Sequence, residues 1–299
     1  MATYEPNEQF AGNSRSTPHQ FPLRRNGILP PTATPQVQIT RDGAVGTITI
    51  NRRERFNALD LEGATALYQA GLRYTQDLTI RVIVLRGTGA VFCSGADLKY
   101  IRAQVEAGKQ SYGAGFRQVV GYFHDLIRTF QRAPKPVIAA VDGMVAAGGI
   151  GIALGCDLVI ASARSTFEYA YFKTALTGAE GTTFFLPRLV GLQRAMSLAL
   201  LNQRLSAQQA WQMGLIGAVY ADEQFDEAVA HTARQLAAGP TASYATAKRL
   251  MREAIEEVRF SDHLAHELDA LSHAADGQDV KEGIAAFFAK RSPQFLGKE

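Results

Sequence analysis

The feature that most constrains this sequence is a mostly apolar, glycine-rich stretch at residues 135–157, which reads KPVIAAVDGMVAAGGIGIALGCD. Val137 to Val141 is a run of β-branched and small apolar residues that predicts a buried strand. Asp142-Gly143 predicts a turn, and the segment that follows predicts a buried helix packed closely against other backbone. A strand that leads through a turn into a buried helix favours an α/β fold.

The junction between this strand and this helix offers backbone groups rather than side chains. The first N–H groups of a helix have no partner within it and lie at the positive end of the helix dipole. Glycines such as Gly148 and Gly149 let a ligand approach these groups closely. The junction can therefore bind an anionic oxygen, although tight packing alone explains the small residues equally well.

A second stretch, residues 82–99, repeats the arrangement and reads VIVLRGTGAVFCSGADLK. Val82 to Leu85 predicts a buried strand, and a glycine-rich loop then leads through Ser94 to Asp97 into a helical pattern. Two junctions that each supply a free backbone N–H are what an oxyanion hole for a thioester or ester carbonyl requires.

Together the two stretches resemble the signature of the crotonase superfamily, also called the enoyl-CoA hydratase/isomerase family. The resemblance runs from about Val37 to the C-terminus. It implies an α/β fold with a crotonase-type ββα spiral core, an acyl-CoA substrate, and an oxyanion hole formed by the N–H groups of Ala96 and Gly148. Coenzyme A would enter as part of that substrate, with no separate cofactor. The residues that the resemblance places at the CoA side are Arg55, Ala58, Ala96, Asp97, Leu98, Lys99, Gly148 and Lys290.

Composition restricts the possible partners and the compartment. The 299 residues are 46% hydrophobic and 20% charged, which is typical of a soluble globular protein. A net charge of +3, with scattered basic residues, argues against nucleic acid. Asp142 and several glycines interrupt the longest apolar run, and the first 20 residues lack the apolar core of a signal peptide. We therefore expect a cytoplasmic protein with no membrane partner. The two cysteines have no metal-ligand spacing, so we expect no metal site.

The chain divides into three predicted regions. Residues 1–35 are polar and rich in proline, serine and threonine, which favours a disordered or extended arm. Residues 36–205 contain the predicted strands and form the spiral core. Residues 206–299 are nearly all helical in pattern, with Ser206 as a predicted N-cap.

The resemblance implies that this helical region packs trimers, which commonly pair as hexamers, whereas its amphipathic pattern is equally consistent with packing inside one subunit. By the same resemblance, Lys290 matches a lysine that approaches the CoA phosphates, often those of a neighbouring subunit.

The proton-transfer groups depart from the family pattern. Typical hydratases of the family use two glutamates, and their spacing places those positions on Gly151 and Tyr171 here. Family isomerases place one acid shortly before an L-P-R-x-x-G block. In LTGAEGTTFFLPRLVG that position is Ala179, and Glu180 follows one residue later.

Three interpretations of Glu180 are open. It is the acid/base of an isomerase-like or lyase-like reaction, or a surface loop charge, or it acts with Tyr171 or Glu168 in another reaction. Glu168 is a second candidate if it faces the cavity, and an edge charge if it faces solvent. Tyr171 either donates a hydrogen bond or packs against the acyl group.

The sequence therefore predicts an enzyme of fatty acid or aromatic acid metabolism that stabilises an enolate of an acyl-CoA thioester. Isomerisation is favoured over hydration because one acid can move a proton between two carbons. The alternative is a non-catalytic acyl-CoA-binding or scaffold protein. A third option is hydrolysis of the CoA ester or of a carbon–carbon bond by retro-Claisen cleavage.

Overall fold

The computed structural model describes residues 35–255, 264, 266, 268, 271 and 277–297. Apart from Pro35, the predicted N-terminal arm at residues 1–35 lies outside the described residues. None of the described helices is long and apolar enough to cross a membrane.

The described chain has strands in its first three quarters and helices throughout. The strands are β1 (Val37–Asp42), β2 (Val45–Ile50), β3 (Val82–Gly87), β4 (Val91–Cys93), β5 (Val137–Val141), β6 (Met144–Ala146), β7 (Leu158–Ser162), β8 (Thr166–Glu168), β9 (Arg204–Ser206) and β10 (Ala218–Tyr220). The helices are α1 (Leu61–Gln76), α2 (Leu98–Glu106), α3 (Tyr112–Arg132), α4 (Gly148–Leu154), α5 (Thr182–Val190), α6 (Leu192–Leu200), α7 (Ala207–Gln212), α8 (Asp222–Ala238), α9 (Thr241–Ala254) and α10 (Gln278–Ala289).

The strands form two sheets, which the chain visits alternately from β3 to β8. The first sheet has the order β1-β2-β3-β5-β7-β10, and the second has the order β4-β6-β8-β9. All neighbours are parallel except β1 with β2 and β8 with β9. From β3 to β8, each pair of consecutive strands adds one strand to each sheet and is followed by one or two helices, which is the predicted ββα spiral.

Strand β5 lies at the centre of the fold. All five of its residues are buried, because β3 and β7 flank it and helices cover both faces. This burial explains its continuous apolar sequence, which is typical of parallel strands. On one face α8 contributes Phe225, Val229 and Ala233 to an apolar cluster that includes Ile138 of β5.

The sheets extend beyond the predicted core boundary at residue 205. Strand β9 pairs with β8, and β10 pairs with β7 at the edge of the first sheet. The helical region therefore completes the sheets before it continues as α8 to α10. Ser206 caps α7 as predicted, since its side chain accepts from the Gln209 amide at 3.2 Å and the Gln209 side chain accepts from the Ser206 amide at 2.9 Å.

Asp157 joins the start of the central sheet to α9. Its carboxylate accepts a hydrogen bond from the Val137 amide at 2.8 Å. It also forms ion pairs with Lys248 at 2.7 Å and with Arg252 at 2.5 Å. The side chains of Asp157 and Lys248 are 17% and 10% exposed, so the pair is largely removed from water. Removal of the carboxylate would leave buried cations without a counter-charge.

We expect Asp157→Ala to lower the free energy of unfolding by about 3 kcal/mol, the usual cost of breaking a buried ion pair from one side. Chemical denaturation measures this change. The matched control is Glu253→Ala, which breaks a more exposed pair with Arg249 on the same helix and should cost less than about 1 kcal/mol. Equal losses in the two variants would contradict the assignment.

Candidate active site

A cavity of about 860 Å³ lies where five segments of the chain meet. These segments are the stretch from Glu54 to Ala58, the loop after β4, the junction between β6 and α4, one face of α3, and the stretch from Ala170 to Glu180. Its size is typical of a pocket that binds a small organic ligand.

The loop after β4 presents the Ala96 amide. Leu59 pairs with this loop on one side, donating from its own amide to the Gly95 carbonyl and accepting from the Asp97 amide, both at 2.9 Å. Successive amides of an extended segment point to opposite sides, so the N–H of Ala96 points away from Leu59. Ala96 lines the cavity, and within the described residues its N–H has no acceptor.

The junction between β6 and α4 presents the Gly148 amide. Gly148 is the first residue of α4, so its N–H has no partner inside the helix, and it lines the same cavity. Ala147 precedes it with φ +45°, a strained conformation for a residue with a side chain. A methyl group added at Gly95 would lie 2.8 Å from the Gly148 nitrogen, so the two loops touch through their backbones.

Glu180 places a carboxyl group beside this junction. It is 2% exposed and lines the cavity, and a methyl group added at Gly148 would lie 2.9 Å from both its Cδ and its Oε1. The Tyr171 hydroxyl donates a hydrogen bond to the other oxygen, Oε2. The surface-charge interpretation of Glu180 is therefore wrong, and Tyr171 donates a hydrogen bond as well as lining the cavity.

Gly151 explains how the loop reaches this position. A methyl group added at Gly151 would lie 2.1 Å from the Glu180 carbonyl oxygen and 2.6 Å from its Cβ. The main chain of Glu180 therefore occupies the space that a side chain at residue 151 would need. The absence of a glutamate at residue 151 and the approach of Glu180 are two aspects of one packing arrangement.

Burial controls the charge of Glu180. It raises the pKa of the carboxyl to about 7, although the hydrogen bond from Tyr171 favours the ionised form. Burial and the neighbouring carboxylate also raise the pKa of the Tyr171 hydroxyl, so Tyr171 stays a donor. A carboxyl that titrates near neutral pH can both accept and donate a proton.

Glu168 does not serve as the second acid. It is buried and is not among the residues that line the cavity. Its carboxylate binds Asn202 at 2.7 Å, Arg204 at 2.8 Å and Lys173. Burial raises its pKa, but the hydrogen bonds from these partners outweigh burial and hold the pKa below its usual value. Glu168 is thus neither a cavity acid nor a solvent-facing charge. Its main chain supports the site, because its carbonyl accepts from the Ala147 amide at 3.1 Å.

The residues predicted for the CoA side line this cavity, with one exception. Asp97 caps α2 through the amides of Lys99 and Tyr100 and pairs with Arg52 at 2.8 Å and Arg55 at 3.2 Å. The predicted residues that line the cavity are Arg55, Ala58, Ala96, Asp97, Leu98, Lys99 and Gly148. Lys290 is exposed beyond the end of α10 and is not among them, so its proposed role toward a neighbouring subunit stays a prediction.

His124 is the site residue to which the sequence assigned no role. It lines the cavity from α3, and its Nε2 accepts a hydrogen bond from the Glu180 amide at 3.2 Å. Burial, assisted by Arg128, lowers its pKa and keeps the ring neutral. The sequence feature that could have identified His124 is its spacing. Cavity-lining positions recur along α3 at helical intervals from Gly113 to His124.

Cys93 is not suited to act as a nucleophile. It is completely buried, and burial raises the pKa of its thiol to about 12, so the thiolate that a nucleophile requires does not form near neutral pH.

The comparisons of this chain with known proteins, by sequence and by structure, agree with one another. The enoyl-CoA hydratase/isomerase family model matches residues 40–298. A 1,2-epoxyphenylacetyl-CoA isomerase from Escherichia coli (strain K12) is 38% identical over 254 residues, covering 85% of this chain and 95% of the relative. The 4-chlorobenzoyl coenzyme A dehalogenase-2 of Arthrobacter sp is 31% identical over 254 residues, covering 85% of this chain and 91% of the relative. The crystal structure of an enoyl-CoA hydratase from Polaromonas sp. JS666 matches with a TM-score of 0.80 at 31% identity, covering 87% of this chain and 99% of that chain.

The raised pKa of Glu180 predicts a pH-dependent effect on stability. Because the folded state holds the proton up to about pH 7 while the ordinary value is 4.5, stability from Glu180 is lost as the pH rises through this window. We therefore expect Glu180→Gln to unfold at about the same free energy as the wild type at pH 4 and to be about 3 kcal/mol more stable at pH 8. Urea titrations at several pH values measure the difference, and a difference that does not change with pH would contradict the buried, titrating carboxyl.

Proposed function

The chain belongs to the enoyl-CoA hydratase/isomerase family, and from this premise we propose that it is an acyl-CoA isomerase. The proposed reaction moves a carbon–carbon double bond relative to the thioester through an enolate. The observation that carries the proposal is the carboxyl of Glu180, which is buried beside Gly148 at the start of α4.

One available carboxylate favours isomerisation over hydration. Among the described residues, three acidic side chains line the cavity. Glu54 is exposed, and Asp97 is engaged by two arginines and by the start of α2. Only Glu180 is left to transfer protons, whereas the hydratase pair would need acids at Gly151 and Tyr171. An isomerase needs one group that removes a proton from one carbon and returns it to another.

The proposed steps balance with no other reactant. For a 3-enoyl thioester, the Glu180 carboxylate takes a proton from Cα, and the electron pair of that C–H bond passes into a dienolate. The protonated Glu180 then returns the proton to Cγ, which leaves the double bond conjugated with the thioester. Oε1 is the oxygen suited to this transfer, because Oε2 is held by Tyr171.

The dienolate oxygen would be held by the amides of Ala96 and Gly148. Both residues line the cavity, both amides lack an acceptor among the described residues, and their loops touch at Gly95. Amides that are already oriented stabilise a developing oxyanion without reorganisation, and loss of one such donor typically costs 100- to 1,000-fold in rate.

The substrate is proposed to be a CoA thioester with a bulky apolar acyl group. Coenzyme A is part of the substrate and would lie against the Arg55 and Lys99 end of the cavity. The α3 wall supplies apolar surface from Phe116 and Val120, and nothing lies within 4 Å of a methyl group added at Gly121. The names of two relatives refer to phenylacetyl-CoA and benzoyl-CoA derivatives, which supports an aromatic acyl group.

We also propose that the protein assembles as a trimer or as a hexamer of two trimers. Support comes from α5 and α6, which in the single chain expose large apolar side chains to water. These are Phe184, Leu189, Leu192, Met196 and Leu200. In such an assembly Lys290 would reach the CoA phosphates of a neighbour, and sedimentation of the wild type and of a Leu192→Asp variant tests the assembly.

The central prediction concerns Glu180→Gln on a panel of 2-enoyl and 3-enoyl thioesters. We expect kcat for isomerisation to fall at least 100-fold, because the amide cannot transfer the proton, while the dissociation constant of the substrate changes little. In the wild type, kcat/KM for a 3-enoyl substrate should rise with pH through about 7 as the carboxylate forms. Stopped-flow absorbance of the conjugated thioester measures the fall in kcat and the pH dependence of kcat/KM.

Two outcomes would overturn this function. Unchanged isomerisation in Glu180→Gln would remove the carboxyl from the mechanism. Tight binding of CoA thioesters by the wild type, with no turnover of any of them, would favour a binding protein instead. The matched control is Glu54→Gln, which removes an exposed carboxylate at the edge of the same cavity.

A second prediction concerns the α3 wall. We expect Gly121→Leu to fill the open space beside Gly121 in the cavity. The variant should lower kcat/KM 10- to 100-fold for aromatic thioesters and leave kcat/KM for four-carbon thioesters unchanged, because pocket contacts of this size discriminate between substrates to that degree. Steady-state kinetics on both classes measure the ratio. Gln118→Leu places the same side chain on the exposed face of α3 and should leave the ratio unchanged. Equal losses for both substrate classes would exclude Gly121 from the acyl pocket.

A further inference from the structure

We infer that His124 is a positioning residue, which holds the main chain of Glu180 so that its carboxyl stays beside Gly148. This inference rests on the proposed function of Glu180. It concerns a residue of α3 to which neither the sequence motifs nor the proposed reaction assigns a task.

The main chain at Glu180 needs an external restraint. Glu180 has φ +48° and the next residue, Gly181, has φ +73°, so two consecutive residues lie in the left-handed region. For glutamate this region is disfavoured by contact between Cβ and the backbone. Such a conformation persists where surrounding structure compensates for the strain.

His124 supplies that restraint through one hydrogen bond. Its Nε2 lies 3.2 Å from the Glu180 amide nitrogen, and within the described residues this ring is the acceptor for that N–H. Without it, the amide of a residue that is 2% exposed would have no partner. Because Nε2 accepts, the neutral ring carries its proton on Nδ1.

The support that carries His124 is rigid. It lies in the middle of α3, a helix of 21 residues that buries Phe123, Leu126 and Ile127 in the main core. The loop at Glu180 therefore depends on a fixed point of the scaffold. On the α4 side, Gly151 has no side chain, and this absence leaves the space in which that loop lies.

The same geometry argues against direct proton transfer by His124. Nε2 is occupied by the Glu180 amide, and a protonated Nδ1 has no lone pair with which to take a proton from a substrate. The useful property of the ring is thus an acceptor atom at one position. Glutamine can place its side-chain oxygen close to that position, whereas leucine fills the space with no acceptor.

This difference gives the test, which compares His124→Gln and His124→Leu in the full-length protein. We expect His124→Leu to lower kcat 10- to 100-fold, since displacement of a catalytic group by about 1 Å costs up to 100-fold. The dissociation constant of a saturated acyl-CoA, measured by calorimetry, should change less than threefold. His124→Gln should recover at least half of the lost activity on a logarithmic scale. Gln118→Leu on the exposed face of α3 is the control.

The outcomes separate this inference from the proposed function. Wild-type kcat in His124→Leu would overturn the positioning role, and equal loss in both variants would indicate that the imidazole itself does the chemistry, which also overturns it. Either result can occur while Glu180→Gln stays inactive. If Glu180→Gln is active, the proposed function fails whatever the His124 variants show.

Discussion

The contact between the Glu180 carboxyl and the start of α4 is the interaction on which this site depends. It places a carboxyl with a pKa of about 7 against Gly148, at the point where the amide of that residue is free of helix partners. Burial makes the group basic enough to accept a proton near neutral pH, and Tyr171 keeps one oxygen occupied. A charged group in this position lowers the stability of the folded state. The packing of the surrounding spiral compensates for that loss.

Much of the fold could be predicted, because the central strands are buried on both faces. Val137–Val141 is apolar at every position, which is typical of a parallel strand covered by helices. Strands β4, β6, β9 and β10 are three residues each, and such short segments show no measurable alternation. They form because they pair with one another or with β7 and β8. The boundary predicted at residue 205 therefore fell before the sheets were complete.

The site was predictable where backbone determines it and unpredictable where tertiary contacts do. The glycines around Ala96 and Gly148 are visible as motifs, and the structure brings both loops to one cavity. The burial of Glu180 depends on space at Gly151 and on His124, which is 56 residues away in the sequence. Glu168 was misjudged for the same reason, since its partners Asn202 and Arg204 come from a distant segment.

The measurement that tests the account most directly is exchange of the Cα protons of an acyl-CoA with solvent. In deuterium oxide, the wild-type protein should exchange the Cα protons of an arylacetyl thioester, because in the proposed mechanism Glu180 removes them and the two amides hold the enolate. Proton magnetic resonance follows the signal, with Glu180→Gln beside it. The account predicts exchange in the wild type and none above background in the variant. Equal exchange in both proteins, or none in the wild type while it isomerises enoyl thioesters, would contradict it.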